Sequence, residues 1–203
     1  MRSWPAAAMR LVLAIVLAPA ALRAADVELT PQIGGVVGGV TATRQGDLEL
    51  DPGAAVGLTV GWWVRHDGLI ELTYSRQDTA IELDSQPLFD ATLDYLHAGG
   101  AWEIETGPTR PFIGLGLGAA RVDPASGSLD SAWFFSAGMY GGVKRYFNDR
   151  VGLRVEGRGL LHLVTSGGDV FCAGGGGAAG CAASISGSGF FQLQATAGLI
   201  IRL

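Results

Sequence analysis

The chain has 203 residues, enough for one domain, and a formal net charge of −5. Hydrophobic residues make up 48% of it, charged residues 16%, and glycine occupies 32 positions. An acidic chain without a basic cluster argues against nucleic acid as a partner, and so many glycines argue against a helical protein.

The first 24 residues have the features of a secretory signal peptide. Arg2 and Arg10 precede an apolar run, Leu11–Leu17, and small residues follow the run up to Ala24. The run is shorter than the roughly 20 residues that a spanning helix takes, which disfavours the alternative of a membrane anchor. We expect cleavage after Ala24, leaving residues 25–203 as one exported domain with 11 basic and 19 acidic residues.

Eight segments with alternating apolar and polar residues follow the signal peptide. Each has about ten residues or more, which is the length of a tilted membrane-spanning strand. These segments are Glu28–Gly39, Ala55–Val64, Leu69–Ala80, Ala91–Ile104, Pro111–Val122, Ala132–Phe147, Val151–Thr165 and Phe190–Leu203.

The connections between these segments alternate between long and short. The short ones, residues 65–68, 105–110 and 148–150, contain Asp-Gly, Gly-Pro and Asn-Asp, which favour tight turns. Short turns at one end and long loops at the other are typical of outer-membrane barrels. The sequence therefore predicts an all-β protein: a closed, antiparallel, eight-stranded, transmembrane up-and-down β-barrel in the cell outer membrane.

The seventh segment shows which face meets the lipid. Val151, Leu153 and Val155 alternate with Arg154 and Glu156. Charged side chains need partners and an apolar face matches hydrocarbon, so we expect the charged face inside. A soluble lipocalin-like carrier would need an apolar lumen instead. Aromatic residues near strand ends predict interfacial girdles: Trp62, Trp63, Trp102, Trp133, Phe134, Tyr146 and Phe147.

Extending this alternation predicts a polar network in the lumen. The interior of an eight-stranded barrel is about wide enough for side chains to fill. We therefore expect paired charges that plug the lumen, and a narrow passive pore is the alternative. The predicted inward residues are Glu71, His97, Glu103, Lys144, Arg154, Glu156, Arg158 and His162, with Thr73, Ser75 and Gln77 beside them.

The histidines raise the question of catalysis. His97 lies near Asp94, and His162 lies near Thr165 and Ser166, but neither pair comes with a signature that sets a nucleophile beside a base. We expect no catalytic residue and no metal site. A lipid A-modifying enzyme remains as a less favoured alternative.

The glycine-rich stretch Gly114–Gly118 does not predict a nucleotide site. Dinucleotide binding depends on a turn from a strand into a helix, and no helical pattern follows this stretch. We expect these glycines to make room for bulky neighbours inside the barrel, and we expect no cofactor.

The two cysteines, Cys172 and Cys181, lie in the longest loop, Ser166–Gly189. In an oxidising compartment such a pair favours a disulfide. A metal site is the alternative, although no histidine or acid lies between the two thiols. The loop is expected to face outward, where binding residues of rigid scaffolds collect.

Three stretches resemble the OmpA-like or OmpX-like family of small outer-membrane β-barrel domains: Glu28–Gly35, Arg110–Ala119 and Gly141–Arg154. The resemblance is architectural, covers essentially all of residues 25–203, and implies a barrel without the peptidoglycan-binding domain of larger relatives. It implies recognition of the C-terminal strand by the barrel-assembly machinery, although this chain ends on Leu203 rather than on the usual aromatic residue.

The function expected from these observations is structural or a surface interaction: envelope integrity, lipid contact or recognition by the loops. The expected partners are outer-membrane lipids, including lipopolysaccharide, and the expected state is a monomer. No particular ligand is predicted.

Overall fold

A computed structural model describes residues 27–42, 47–84, 86–104, 107–125, 129–163, 169–172, 181–184 and 189–203. The predicted signal peptide lies outside these ranges, so its cleavage stays a prediction. The strands of the described ranges are β1 (Val27–Gly38), β2 (Val40–Ala42), β3 (Asp47–Leu50), β4 (Gly53–Arg65), β5 (Gly68–Leu83), β6 (Gln86–Glu103), β7 (Thr109–Pro124), β8 (Ala132–Tyr146), β9 (Val151–Leu163), β10 (Asp169–Cys172), β11 (Cys181–Ser184) and β12 (Gly189–Arg202).

Eight long strands close into a barrel in the order β1-β4-β5-β6-β7-β8-β9-β12, and each is antiparallel to the next. The last strand returns to the first, with Arg202 opposite Glu28 and Leu193 opposite Val37. The predicted eight-stranded up-and-down barrel is confirmed. Closure matters because it leaves no open edge of backbone donors and acceptors to face hydrocarbon.

The strands on the external side are longer than the sequence analysis predicted. The prediction of a loop between Ala80 and Ala91 is wrong, because β5 continues to Leu83 and β6 begins at Gln86, after a turn at Asp84. Inward side chains of the extension, such as Ile81, pack in an apolar cluster, and this packing favours extended backbone beyond the bilayer.

Two short hairpins also lie within predicted loops. The β2–β3 hairpin adds to the external edge of β5. Strands β10 and β11 form a separate antiparallel pair with each other. Both show that the external side of the protein is built of strands as well as loops.

The outer surface of the barrel is apolar. Ile33, Leu117 and Met139 are 68%, 60% and 61% exposed, and they point away from the interior. A closed barrel with an apolar outside and charges inside has the polarity that hydrocarbon demands, so this barrel spans the outer membrane. No helix of the described ranges is long and apolar enough to cross a bilayer.

The predicted aromatic girdles are only partly correct. Trp102, Trp133 and Phe147 are exposed on the outside, as an interfacial position requires. Phe134 instead packs inside the barrel, and Tyr146 donates a hydrogen bond to a lumenal glutamate. Neighbouring aromatic residues cannot both face lipid, because successive residues of a strand point to opposite faces.

Trp63 also departs from the predicted girdle, since two lumenal cations lie over its ring. Lys144 Nζ is 5.6 Å from the ring centroid and Arg202 Cζ is 5.0 Å from it. Its neighbour Trp62 is half-buried.

Candidate functional site

The interior of the barrel collects the polar side chains of the strands. The structure places all eight predicted residues there, each at most 4% exposed: Glu71, His97, Glu103, Lys144, Arg154, Glu156, Arg158 and His162. The charged residues lie in the half near the termini and the short turns, which is the periplasmic half. The two histidines lie farther from those turns.

Lys144, the only lysine of the chain, is the centre of one charged group, which we term the lysine cluster (Lys144, Glu28 and Glu103). Its Nζ lies 2.8 Å from Glu28 Oε2 and 2.5 Å from Glu103 Oε1. Glu71 Oε1 is 4.0 Å away. The ammonium group is fully buried, so these carboxylates replace the water it would otherwise bind.

Glu71 links the lysine cluster to a second group, to which it belongs: the arginine ladder (Glu71, Arg154, Glu156 and Arg158). Arg154 donates from Nη1 and Nη2 to the two oxygens of Glu71, at 2.5 and 3.1 Å, and from Nε to Glu156 Oε2 at 2.9 Å. Arg158 donates to Glu156 Oε1 from Nε and Nη2, at 3.0 and 2.8 Å. Charges of opposite sign therefore alternate across the lumen, and the planar guanidinium forks suit such bidentate pairing.

Aromatic rings pack against these cations. Arg154 Cζ lies 4.4 Å from the ring centroid of Phe112, and Arg158 Cζ lies 4.6 Å from that of Tyr140. Tyr140 and Phe112 form a small buried cluster with Ala101. We term the lysine cluster, the arginine ladder and these rings the periplasmic plug.

Glu28 and Arg202 also face the lumen, although neither is among the lumenal residues predicted from the sequence. Arg202 Nε donates to Glu28 Oε1 at 2.8 Å, and Tyr146 Oη donates to the same oxygen at 2.5 Å. Both charged residues lie at strand ends, where the alternation of apolar and polar residues extends over too few positions to predict which face a side chain occupies. Arg202 does continue the polar face of the last strand, and that signal could have identified it.

A neutral polar layer lies farther from the short turns. His97 Nε2 is 2.8 Å from Ser136 Oγ, and His162 Nε2 is 3.2 Å from Gln192 Oε1. Tyr95 Oη donates to the same Gln192 oxygen at 2.7 Å. The two histidines of the predicted lumenal polar network therefore take part in hydrogen bonds with uncharged side chains, apart from the ion pairs of the periplasmic half.

Nearer the external end the lumen is apolar, which the sequence analysis did not predict. The apolar cap, as we term it, is a buried cluster from six long strands and from β3. Its members are Leu48, Leu50, Ile81, Ala91, Leu93, Tyr95, Ala120, Val122, Phe134, Leu160 and Phe190. Phe134 and Phe190 meet edge to face, with ring centroids 5.9 Å apart. The cap and the periplasmic plug together fill both halves of the lumen.

The external ends of the strands are acidic. Among described residues there, the basic side chains are Arg76 and Arg121, and Arg121 Nη2 is already 3.1 Å from Asp123 Oδ2. The carboxylates of this acidic external rim are Glu49, Asp51, Asp78, Glu82, Asp84, Asp90, Asp94, Asp123 and Asp130. In the described part of the chain, no three His, Cys, Asp or Glu residues are grouped so that they could hold a metal ion.

The two cysteines are opposite each other in the β10–β11 hairpin. Their side chains lie outside the described part of the protein, so the disulfide stays a prediction. Opposed residues of antiparallel strands have Cα atoms about 4.5–5.5 Å apart, which a disulfide can span. We expect denatured protein to react with a thiol reagent only after reduction, and a serine pair at Cys172 and Cys181 to leave the barrel folded. Two reactive thiols before reduction would contradict the disulfide.

The comparisons with known proteins identify the fold. No model of a protein family matches the sequence, and no curated protein matches it. Neisserial surface protein A has a similar structure, with a TM-score of 0.59 and 14% identity over 88% of this chain and 97% of that chain. OprG from Pseudomonas aeruginosa has a TM-score of 0.50 and 10% identity, covering 86% and 96%. The outer membrane protein AlkL, solved by solid-state NMR in DMPC bilayers, has a TM-score of 0.50 and 11% identity, covering 88% and 91%.

At these identities the likeness concerns the fold alone. The resemblance to the OmpA-like or OmpX-like family therefore stays a prediction. What the structure and its neighbours establish is a small, closed β-barrel with the fold of outer-membrane proteins.

Proposed function

We propose that this protein is a non-conducting barrel that holds an external β-sheet extension in the outer membrane, in a structural or surface-interaction role. The filled lumen is the observation that carries the proposal. An ion crossing the barrel would have to displace the apolar cap and then separate the ion pairs of the periplasmic plug. Each step is costly, because cap residues would lose their packing and buried charges would lose their partners.

The test is conductance in planar lipid bilayers. Purified protein whose folding has been verified by a heat-dependent gel shift is added to both sides of the membrane. We expect no steady unit currents over a range of voltages. Reproducible open-channel steps from the folded protein would contradict the proposal and support the alternative of a narrow passive pore.

The acidic external rim supports a role in contact with cationic partners. Carboxylates of one sign at the end of a rigid scaffold attract basic groups and repel other anions. The apolar band meanwhile supports contact with lipid acyl chains, those of lipopolysaccharide included. We propose that the chain acts as a monomer assembled through its C-terminal strand.

Neutralising the rim tests this charge preference. We expect the triple variant Asp78→Asn, Asp90→Asn, Asp123→Asn to bind a lysine decapeptide several-fold more weakly than the unmodified protein, in phosphatidylcholine vesicles at low salt. Asp149→Asn, in the exposed turn at the other end of the barrel, is the matched control and should change binding little. Equal binding by the triple variant would remove the rim from the proposed function.

The contact between His97 and Ser136 is the observation that favours a second candidate, a lipid-modifying enzyme. A serine beside a histidine base is the arrangement that acyl transfer uses. Both side chains, however, face the filled lumen, and the serine is fully buried. A lipid A ester in the surrounding membrane has no route to this hydroxyl.

We therefore expect no change in lipid A acylation, measured by mass spectrometry, when cells express Ser136→Ala instead of the unmodified protein. An acylation change that depends on expression of the unmodified protein and disappears in Ser136→Ala would support the enzyme.

A further inference from the structure

The seam between β1 and β12 has a break in its hydrogen-bond ladder. Register pairs run from Glu28–Arg202 to Gly38–Gln192, but two pairs in between, Thr30–Ile200 and Pro31–Leu199, are absent. On its other side β1 pairs with β4 without interruption, and Pro31 lies opposite Leu58.

Pro31 explains both absences. Donors of a strand point alternately to its two neighbours, and proline has no N–H. The N–H of residue 31 would donate to the Leu199 carbonyl on the β12 side. Without that hydrogen bond, the Pro31–Leu199 pair and the adjacent Thr30–Ile200 pair are both lost. The Leu199 carbonyl therefore lacks its ladder donor, and the apolar band around the barrel offers no water to replace it.

The outer surface does not cover this gap. Pro31 is exposed, and an open groove with an almost wholly apolar lining passes over it. Residues of three further strands border the groove, among them Val56, Leu153 and Leu199. Gln32, the polar residue that borders the groove, is buried on the lumenal side of the strand.

This seam also differs from the others in sequence separation. It joins the first strand of the barrel to the last, so it forms only after the whole chain has been made, at the largest loop-closure cost. Until then the β12-facing side of β1 is an open edge. Proline on an open edge is one of the devices that hinder pairing with a foreign strand.

We propose that Pro31 weakens the β1–β12 seam, so that this barrel opens first at that seam when it unfolds. The seam carries one ladder hydrogen bond fewer than an uninterrupted pair of strands of its length. The missing donor lies on the side of β1 that stays unpaired longest.

The experiment measures unfolding rates in urea, from folded protein in detergent micelles. Pro31→Val restores the donor, and we expect unfolding about fivefold slower, the effect of one added hydrogen bond in the rate-limiting opening. Pro111→Val is the matched control, because Pro111 also lies in the barrel wall but beside a short turn. It should change the rate less than twofold. Pro31→Ala serves as a second donor-restoring variant if the valine variant does not fold.

A cross-link distinguishes opening at the seam from a general effect of removing proline. Leu29 and Ile201 are opposed across the seam and point outward, so Leu29→Cys with Ile201→Cys can join it, in a Cys172→Ser, Cys181→Ser background. In the oxidised form the seam cannot part, and Pro31→Val should then change the rate less than twofold; reduction should restore the fivefold effect. Equal slowing in the oxidised and reduced forms, or an effect no larger than that of Pro111→Val, would overturn the proposal.

Discussion

Replacing Lys144 by methionine is expected to destabilise the folded barrel by about 3–5 kcal/mol, because buried Glu103 loses its nearest cation and is left with Arg110 at 3.7 Å, while buried Glu28 loses one of its cations and keeps Arg202. Glu28 and Glu103 both lie within 2.8 Å of the ammonium nitrogen, and the side chains involved are almost fully buried. The measurement is the urea midpoint for loss of the heat-dependent gel shift. Arg145→Met is the matched control: the adjacent residue faces outward and is exposed, so its loss should cost less than about 1 kcal/mol.

A rescue separates the loss of charge pairing from poor packing of the new side chain. Adding Glu103→Gln to Lys144→Met removes the carboxylate charge that depends most on Lys144, while Glu28 keeps its ion pair with Arg202. We expect this double variant to be more stable than Lys144→Met alone. If it is less stable, the loss in Lys144→Met arises from packing and not from unpaired charge.

Arg154→Met should cost a similar amount, about 3–5 kcal/mol, since Arg154 holds Glu71 and Glu156 at once. Glu156 keeps Arg158, so most of the loss should arise at Glu71, whose next cation is Lys144 at 4.0 Å. Urea denaturation of the membrane-embedded protein measures it.

The controls for this variant follow from the same contacts. Arg154→Met with Glu71→Gln should recover part of the stability, whereas Arg150→Met, in an exposed turn, should have little effect. Because Glu71 of the arginine ladder also lies 4.0 Å from Lys144 of the lysine cluster, the Lys144→Met, Arg154→Met double variant should lose a different amount of stability from the sum of the two single losses. Strict additivity would mean that the two groups are energetically independent.

The strands could be predicted because lipid imposes the same demand at every second residue. In β9, Leu153 and Val155 must face hydrocarbon, so the intervening Arg154 and Glu156 must face inward. This alternation also placed Lys144 in the lumen. The partners of Lys144 could not be predicted, since its contact with Glu28 spans 116 positions and depends on the stagger of the closed barrel.

The apolar cap could not be predicted from the sequence, for a different reason. Leu48, Leu50 and Ile81 lie in segments rich in acids, and such segments predict loops. Above the bilayer the outside of the barrel faces water, so the polarity of the two faces reverses along the same strand. Ile81 then points inward, whereas residues in the membrane such as Leu117 point outward. If the apolar face is assumed to be the outer face along the whole strand, the strand is predicted to end where the two faces exchange polarity.

The closed, membrane-spanning barrel is the central claim, and the migration of the outer-membrane fraction on an SDS gel, with and without boiling, tests it most directly. A closed barrel resists SDS until it is heated, so we expect a band that migrates differently before and after boiling and that is found in the outer-membrane fraction. Protein recovered in the soluble periplasm, with the same migration before and after boiling, would contradict the claim.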